Sequence, residues 1–232
     1  MMNSSMARQP EPEPMDIAEE AAAYAEADFA EVNTRFVQRL IDQAGARDDA
    51  LALDLGTGPG DIPARVLRQC PAWRIVAADL SMPMLAYARD AARNRHVAGA
   101  LYPLCADAGK MPFPDATFDV IFSNSILHHI SDVARFWAEV KRVAKPGGQS
   151  LLRDLARPAT PEDAAALVRQ YAATESPLLQ EEFYRSLLAA YTPPEVRRQL
   201  DEAGLHHWKV ERVSDRHLDV FGEMECAEVK RA

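Results

Sequence analysis

The chain has few of the residues and runs that mark several protein classes. Its only cysteines, Cys70, Cys105 and Cys226, form no C-x-x-C pair, so we expect reduced thiols rather than a disulfide framework or a zinc site. No apolar run reaches the roughly 18 residues of a membrane span, and the start lacks the basic and then apolar order of a signal peptide. We therefore expect a cytoplasmic protein without a membrane partner.

Basic residues are also scarce relative to acidic ones. Lys and Arg number 26 against 35 Asp and Glu, which gives a formal net charge of −9 and an isoelectric point near 5.2. A broad nucleic-acid surface favours clustered Lys and Arg, so this balance predicts no nucleic-acid partner, although it is compatible with local basic patches. With 232 residues, of which 48% are hydrophobic, the chain can bury one sizeable core but has no room for a second full domain.

The composition divides the chain into a short lead and one domain. Residues 1–15 are rich in Ser, Gln, Glu and Pro, which predicts a disordered lead. Residues 16–232 are predicted to form a single α/β domain that begins with a helical pattern over residues 17–44. Two further helical patterns over residues 161–190 predict a helical lid inserted into that domain.

The most informative segment is an apolar strand that ends at Asp54 and runs into Gly56, Gly58 and Gly60. Glycine adopts positive φ and lets a ligand approach the backbone, so the pattern predicts a binding loop, with a plain turn as the alternative. The register is G-x-G-x-G, and Asp61 stands where a dinucleotide loop has its last glycine. Because an acid there repels phosphate, we predict a ligand without phosphates that carries an amine or sulfonium cation.

Two further apolar strands are followed by carboxylates. Asp79 ends the strand at 74–79, and its offset from the glycine loop predicts that it accepts hydrogen bonds from both hydroxyls of a ribose. Its alternative role is a helix cap, although Ser81 is already a good cap for the helix that follows. Asp107 follows the strand at 101–105 and is predicted either to bind an adenine amino group or to be an ordinary loop acid.

In order and spacing, these segments resemble the class I S-adenosylmethionine-dependent methyltransferases of the small-molecule type. The motifs that carry the resemblance are Leu53-Asp-Leu-Gly-Thr-Gly-Pro-Gly60, Ala78-Asp-Leu-Ser81, Ala106-Asp-Ala108 with Met111-Pro-Phe-Pro114 after it, Phe118-Asp-Val-Ile-Phe-Ser-Asn124 and Lys145-Pro-Gly-Gly148. They cover residues 50 to about 155. Any one of these motifs is weak, whereas their joint agreement is specific.

The resemblance implies a Rossmann-like α/β fold: a seven-stranded, mostly parallel sheet with an antiparallel last strand and helices on both faces. It also implies S-adenosyl-L-methionine as the cofactor and in-line transfer of its methyl group to a small-molecule acceptor, without a metal. The cofactor-binding residues implied are Asp54, Gly56, Thr57, Gly58, Gly60, Asp79, Leu80, Asp107, Ala108, Ser123 and Asn124.

Three residues are predicted to act on the acceptor side. His128 and His129 follow the fourth strand, at the sheet edge where open α/β folds bind ligands; His128 is favoured as a proton acceptor, with a turn-capping histidine as the alternative. Arg153 follows the fifth strand and is predicted to orient an anionic acceptor or to form an ion pair. Tyr24 lies with Asp28 and Phe29 in the helical segment that closes over the cofactor in similar enzymes, and each of the three either faces the methyl group or only packs.

Three functions are compatible with these patterns. They are a methyltransferase for small molecules, a methyltransferase acting on protein or RNA, and a noncatalytic regulator that binds S-adenosylmethionine. The acidic charge disfavours RNA. An aromatic lid lining favours a small or medium organic acceptor, and a homodimer is compatible with the sequence. The predicted lining residues are Tyr171, Phe183, Tyr184 and Tyr191.

Overall fold

A seven-stranded sheet forms the centre of the computed structural model, which describes residues 6–11, 18–27, 29–45 and 47–225. The strands are β1 (Leu51–Leu55), β2 (Arg74–Asp79), β3 (Leu101–Cys105), β4 (Phe118–Asn124), β5 (Ala144–Leu155), β6 (Lys209–Arg212) and β7 (His217–Glu223). Their order across the sheet is β3-β2-β1-β4-β5-β7-β6. This order confirms the predicted fold class.

Strand direction follows the prediction as well. The pairs β1–β2, β1–β4, β2–β3 and β4–β5 are parallel, while β7 runs antiparallel to both β5 and β6. From β1 the chain adds β2 and β3 on one side, and then crosses back to place β4 on the other side of β1. The topological switch point therefore lies between β1 and β4. In open α/β sheets ligands bind in the crevice beyond the carboxyl ends of the strands at such a switch point.

Eight helices surround the sheet in the described part of the chain. They are α1 (Ala18–Glu26), α2 (Ala30–Ala44), α3 (Asp61–Gln69), α4 (Met82–Asn94), α5 (Val133–Val143), α6 (Pro161–Tyr171), α7 (Pro177–Ala189) and α8 (Pro193–Glu202), with a short 3-10 turn at Leu127–His129. Side-chain caps begin several of them: Ser81 accepts the Met84 N–H at α4, and Thr160 accepts the Asp163 N–H at α6.

Apolar residues cover both faces of the sheet. On one face, β4 packs against α5 and α8 through the fully buried Phe136, Trp137 and Val196. On the other face, α2 and α3 bury Phe36 and Leu67 against the central strands. Strands covered on both sides carry nearly continuous apolar runs, which explains why β1, β2 and β4 are recognisable from the sequence.

The structure refines three element predictions. The helical pattern at 17–44 corresponds to two helices, α1 and α2, with Phe29 at the N-cap of the second. The Lys145-Pro-Gly-Gly148 motif predicts a chain reversal before a strand at 149–152, but β5 already begins at Ala144, because the segment around Gly147 bulges within the strand. Within the lead predicted to be disordered, residues 6–11 make defined contacts: Met6 packs against α6 and α7, and backbone hydrogen bonds hold the segment. Residues 1–5 and 12–15 of that lead lie outside the described residues.

Helices α6 and α7 lie together at the carboxyl end of β5, and we call this helix pair the roof. Leu167, Val168 and Leu187 bury a small apolar cluster between the two helices. At its base, an isolated bridge joins Ala156 to Tyr191, where the roof leaves and re-enters the main fold. Within the described ranges, no helix is both long and apolar enough to cross a membrane.

Candidate functional site

A cavity of about 370 Å³ lies at the carboxyl ends of the strands, under the roof. Its wall joins the glycine loop and the end of β2 to the residues after β4 and to the inner side of α7. A volume of this size is typical of small-molecule sites. The predicted site residues that line it are Tyr24, Gly56, Gly58, Asp79, Leu80, Asp107, Ala108, Asn124 and His128.

The three loop glycines all have positive φ, but the absence of a side chain serves a different purpose at each. Gly60 (φ 78°) lies against α4, where a Cβ would come within 2.8 Å of the Ala88 Cα, and Gly56 (φ 68°) lies against Ile126. Gly58 (φ 54°) faces the cavity, with the Tyr24 ring 4.0 Å from the place of a Cβ. Gly60 therefore permits helix packing, whereas Gly58 leaves backbone exposed to a ligand.

Asp79 is oriented by the backbone on either side of the cavity. One carboxylate oxygen accepts the Gly58 N–H at 2.8 Å and the other accepts the Ser81 N–H at 2.9 Å. Burial raises the pKa of Asp79 above its ordinary value, and these backbone hydrogen bonds offset part of that rise. Each oxygen keeps a lone pair for a further donor, so the carboxylate fits the two neighbouring hydroxyls of a ribose.

A second carboxylate lies beneath the glycine loop. Asp54 accepts the Thr57 hydroxyl at 2.7 Å, and both residues are buried. Burial raises the pKa of Asp54 to about 7, against the opposing effect of the Thr57 hydrogen bond. Asp54 and Thr57 thus brace the loop from below and lie outside the cavity wall.

Three predicted residues lie at the strand ends beyond the loop. Asp107 lines the cavity and accepts the Gly109 N–H at 2.7 Å, as in a local turn. Asn124 lines it at the end of β4. Ser123 is fully buried and donates its hydroxyl to the Leu55 carbonyl at 2.7 Å, so its side chain ties β4 to β1 and does not reach a ligand.

Tyr24 covers the loop from α1. Its ring lies 4.9 Å from the Phe29 ring, centroid to centroid, and both residues line the cavity. Burial raises the pKa of the Tyr24 phenol to about 12, and the charge of Asp79 adds to the rise. The phenol is therefore neutral at physiological pH. Asp28, a third residue predicted to face the methyl group, lies outside the described residues.

His128 is paired with a carboxylate that the sequence did not single out. Its Nδ1 lies 2.5 Å from one oxygen of Asp154, and the other oxygen accepts the His128 backbone N–H at 2.9 Å. Burial lowers the pKa of His128, but the charge and hydrogen bond of Asp154 outweigh it, so the pKa is raised overall. Nε2 is buried without a hydrogen-bond partner among the described residues, and the ring lines the cavity.

The N-terminal segment 6–11 covers the histidine pair from outside. Arg8 donates to the carbonyl oxygens of His128 (2.7 Å) and Ala189 (2.6 Å). An oxygen of Glu11 lies 2.8 Å from Nδ1 of His129. Burial raises the pKa of Glu11, but contact with His129 lowers it more, so the carboxylate is ionised at neutral pH. Nothing in the Pro-rich composition of this segment signalled such contacts.

Of the two roles predicted for Arg153, the structure shows the ion pair and not the acceptor contact. Its fork is bound to Asp219 on β7, with N–O distances of 2.7 and 2.8 Å, and Asp219 is fully buried. The guanidinium also lies over the Phe36 ring of α2, on the face of the sheet away from His128. Successive residues of a strand point to opposite faces, so Asp154 reaches the histidine and Arg153 does not.

A different arginine lines the cavity. Arg216, in the turn before β7, stacks its guanidinium 3.3 Å from the centroid of the Tyr171 ring. The Tyr171 hydroxyl donates to Asp215 at 2.6 Å, which fixes the ring under the guanidinium. Of the four aromatic residues predicted to line the roof, Tyr171 and Phe183 do so. Tyr191 instead lies under Arg8, and Tyr184 packs in the roof cluster.

Sequence comparison gives a family for the central segment. Residues 53–152 match the model of the methyltransferase domain. A ubiquinone/menaquinone biosynthesis C-methyltransferase, UbiE, of Vibrio campbellii is 35% identical over 119 residues, which are 51% of this chain and 46% of that protein. The chain thus spans about half the length of the curated relatives it matches.

Structure comparison extends the likeness to nearly the whole chain. A structure from Methanococcus maripaludis, described as an S-adenosylmethionine-dependent methyltransferase, superposes with a TM-score of 0.73 at 20% identity, covering 95% of this chain and 99% of that one. A SAM-dependent methyltransferase from Aquifex aeolicus gives 0.68 at 21% identity, with 90% and 98% coverage. Residues 53–152 thus match a methyltransferase domain, and the fold as a whole is that of solved structures described as S-adenosylmethionine-dependent methyltransferases.

Proposed function

We propose that this protein transfers the methyl group of S-adenosylmethionine to a small organic acceptor held beneath the roof. One observation carries the proposal: a single cavity connects Gly58 and Asp79 with Nε2 of His128 and with the inner side of α7. A cofactor seated on the loop and an acceptor seated under the roof would therefore share one enclosed space. An acceptor enclosed in this way is a small molecule rather than a folded protein or an RNA.

The chain's residues would contribute mainly by positioning. When bound, S-adenosylmethionine supplies a methyl group on an activated sulfonium leaving group. Asp79 and the Gly58 backbone hold the donor end, and Tyr24 and Phe29 exclude water above it. The reaction then depends on how closely the acceptor atom is held and aligned, which can contribute several kcal/mol to catalysis. His128 is the predicted site of contact with an ionisable group on the acceptor.

The acceptor side favours a molecule with an apolar ring and an oxygen that can carry negative charge. Phe183 and Leu179 supply apolar wall, and Arg216 offers a cation stacked on Tyr171. Burial, followed by the charge of Arg216, lowers the pKa of His217 to about 4, so this cavity residue is a neutral partner at physiological pH. The relatives are named C-methyltransferases, and we extend to this chain the proposal that a carbon atom is methylated.

Two measurements test the function. Calorimetry with S-adenosylmethionine, its demethylated product and NAD should show binding of the first two alone, because Asp61 takes the place of the glycine that packs the helix beneath a pyrophosphate in dinucleotide loops. Incubation with methyl-labelled S-adenosylmethionine and a metabolite extract should then place label in the low-molecular-mass fraction. NAD binding without binding of the other two ligands, or label confined to protein or RNA, would contradict the proposal.

A further inference from the structure

Three groups that can ligate a metal converge beside the cavity. Glu11, His128 and His129 each present one ligand atom, and these atoms all lie within 4.8 Å of one another. The three side chains are only 9%, 1% and 23% exposed, respectively. Both histidines line the cavity, so anything bound between the three groups would face the acceptor.

The imidazole of His128 has the environment of a metal ligand. Histidines that bind metals usually donate their other ring N–H to a carboxylate, which fixes the tautomer and the ring orientation. Asp154 takes that position here, with one oxygen 2.5 Å from Nδ1. Nε2 is left buried and unpartnered in the described part of the chain. A buried nitrogen without a partner is costly unless something binds to it.

Glu11 and His129 are in ion-pair contact, but within the described ranges no hydrogen bond occupies Nδ1 of His129. Their closest atoms, an oxygen of Glu11 and Nδ1 of His129, are 2.8 Å apart. They are not aligned for a hydrogen bond, and Nδ1 has no such partner among the residues described. The other oxygen of Glu11 accepts the Ser186 hydroxyl at 3.0 Å. One oxygen thus anchors the segment and the second is directed towards the histidines.

We propose that Glu11, His128 and His129 bind one divalent transition-metal ion of the zinc type. Two imidazoles and one carboxylate are the ligand set of many catalytic zinc sites, which keep a further position open. Here that position faces the cavity. Magnesium is a poor match, because it prefers oxygen ligands and retains much of its water.

The ion would give the acceptor pocket a defined chemistry, and this consequence alone rests on the proposed function. An acceptor hydroxyl that binds the ion loses its proton to solvent more readily, since the metal stabilises the oxygen anion. The acceptor would then be held as its anion, and the negative charge would make its neighbouring carbon a better nucleophile for the methyl group. With the ion in place, Nε2 of His128 is a ligand and not a proton acceptor, so a His128 variant alone does not separate the two roles.

The test uses the full chain without an added histidine tag, stripped with a chelator. Titration with Co²⁺, followed by visible absorption, is expected to show one equivalent bound, Zn²⁺ should displace it, and millimolar Mg²⁺ should not. Glu11→Gln keeps an oxygen for Ser186 but removes the charge, and His129→Gln removes an imidazole. Each is expected to weaken Co²⁺ binding at least 10-fold. His206→Gln, which changes an exposed histidine, should not.

Asp154→Asn provides a second, indirect perturbation. It leaves all three proposed ligands in place but removes the charge behind His128, and loss of such a partner weakens metal binding by about 10- to 100-fold. Thermal unfolding of the apo forms checks that every variant is folded. Equal Co²⁺ affinity in the wild type, Glu11→Gln and His129→Gln would overturn the metal site, as would the absence of binding at micromolar Co²⁺.

The metal site and the proposed function fail in different ways. Chelated protein that transfers methyl groups at the full rate and binds no Co²⁺ overturns the metal site and leaves methyl transfer intact. Protein that binds Co²⁺ through the three residues, yet neither binds S-adenosylmethionine nor labels any acceptor, overturns the proposed function and leaves the metal site intact.

Discussion

The two halves of the cavity are assembled from very different parts of the chain. On the cofactor side, Asp54, Gly58 and Asp79 lie within 26 residues and at the ends of two paired strands. On the acceptor side, Glu11, His128 and Arg216 come from segments more than 80 residues apart. The first half is determined by local sequence and sheet register, and the second by tertiary packing.

This contrast has a chemical reason. The cofactor half must hold one fixed ligand, so a strand, a glycine turn and one carboxylate suffice, and all three follow one another along the chain. The acceptor half must position an atom for attack, and its groups reach it from the N-terminal segment, the turn after β4 and the turn before β7. The following variants test whether the halves are as separable as this division implies.

The largest expected effect is on the cofactor side. Asp79→Ala should remove charge-assisted hydrogen bonds to the ribose and weaken S-adenosylmethionine binding by about 2 to 4 kcal/mol, or roughly 30- to 1000-fold. Calorimetry measures this directly. A folded variant with wild-type affinity would show that Asp79 serves only to cap the turn through Gly58 and Ser81.

The matching change on the acceptor side should leave the affinity for the cofactor unchanged. His128→Ala is expected to lower turnover by about 100-fold, because either proton acceptance or acceptor binding is lost, while S-adenosylmethionine affinity barely changes. Single-turnover rates and calorimetry on the same preparation separate the two quantities. A parallel loss of cofactor affinity would mean that the two halves are coupled.

A substitution at Asp54 probes the cofactor half through the stability of the protein, without a bound ligand. Its pKa is raised to about 7 in the folded chain, so between about pH 4 and pH 7 the folded state holds a proton that the unfolded state has released. The free energy of unfolding therefore falls as pH rises through this window. Asp54→Asn removes this loss, and its stability relative to the wild type should grow by about 2 kcal/mol from pH 5 to pH 8.

Denaturant melts of both proteins at a series of pH values measure this difference. Asn keeps the hydrogen bond to Thr57, so a general loss of stability is not expected at low pH. Parallel stability curves for the two proteins would show that Asp54 is ionised throughout and that its burial is compensated.

The smallest effect separates the two arginines. Once an acceptor is known, Arg216→Lys should raise its KM about 10-fold, because lysine keeps the charge but loses the planar fork. Arg153→Lys is the matched control: its fork is bound to Asp219, so it should leave KM unchanged and cost about 1 kcal/mol of stability. The reverse result would restore Arg153 as the acceptor anchor.

The sequence predicted the fold because the signals of its elements are local. Apolar runs marked the buried strands, glycines marked the tight turn at Gly56 to Gly60, and Pro and Ser marked the helix starts at Pro161 and Ser81. The resemblance that these motifs carry implied the seven-stranded sheet with its antiparallel last strand, and the structure confirms it. The individual binding roles of the loop residues stay predictions.

The acceptor side escaped sequence reasoning for two physical reasons. β5 is covered on both faces, so the alternation of Arg153 and Asp154 did not show which residue pointed to the cavity. The lead residues 6–11 are polar and contain proline, a composition typical of disorder. Nevertheless, Arg8 donates hydrogen bonds to two backbone carbonyls, and Glu11 contacts His129. Such long-range contacts leave no periodic pattern in the sequence.

The bridge between Ala156 and Tyr191 makes the roof a candidate for exchange between enzymes. Its two ends meet at neighbouring positions, and Arg157 fastens them through hydrogen bonds to the Tyr191 and Ala190 carbonyls. A segment whose ends are adjacent can be replaced by one of another length without displacing the strands that carry it. Replacement of the roof can thus change the range of substrates while the cofactor loop stays unchanged.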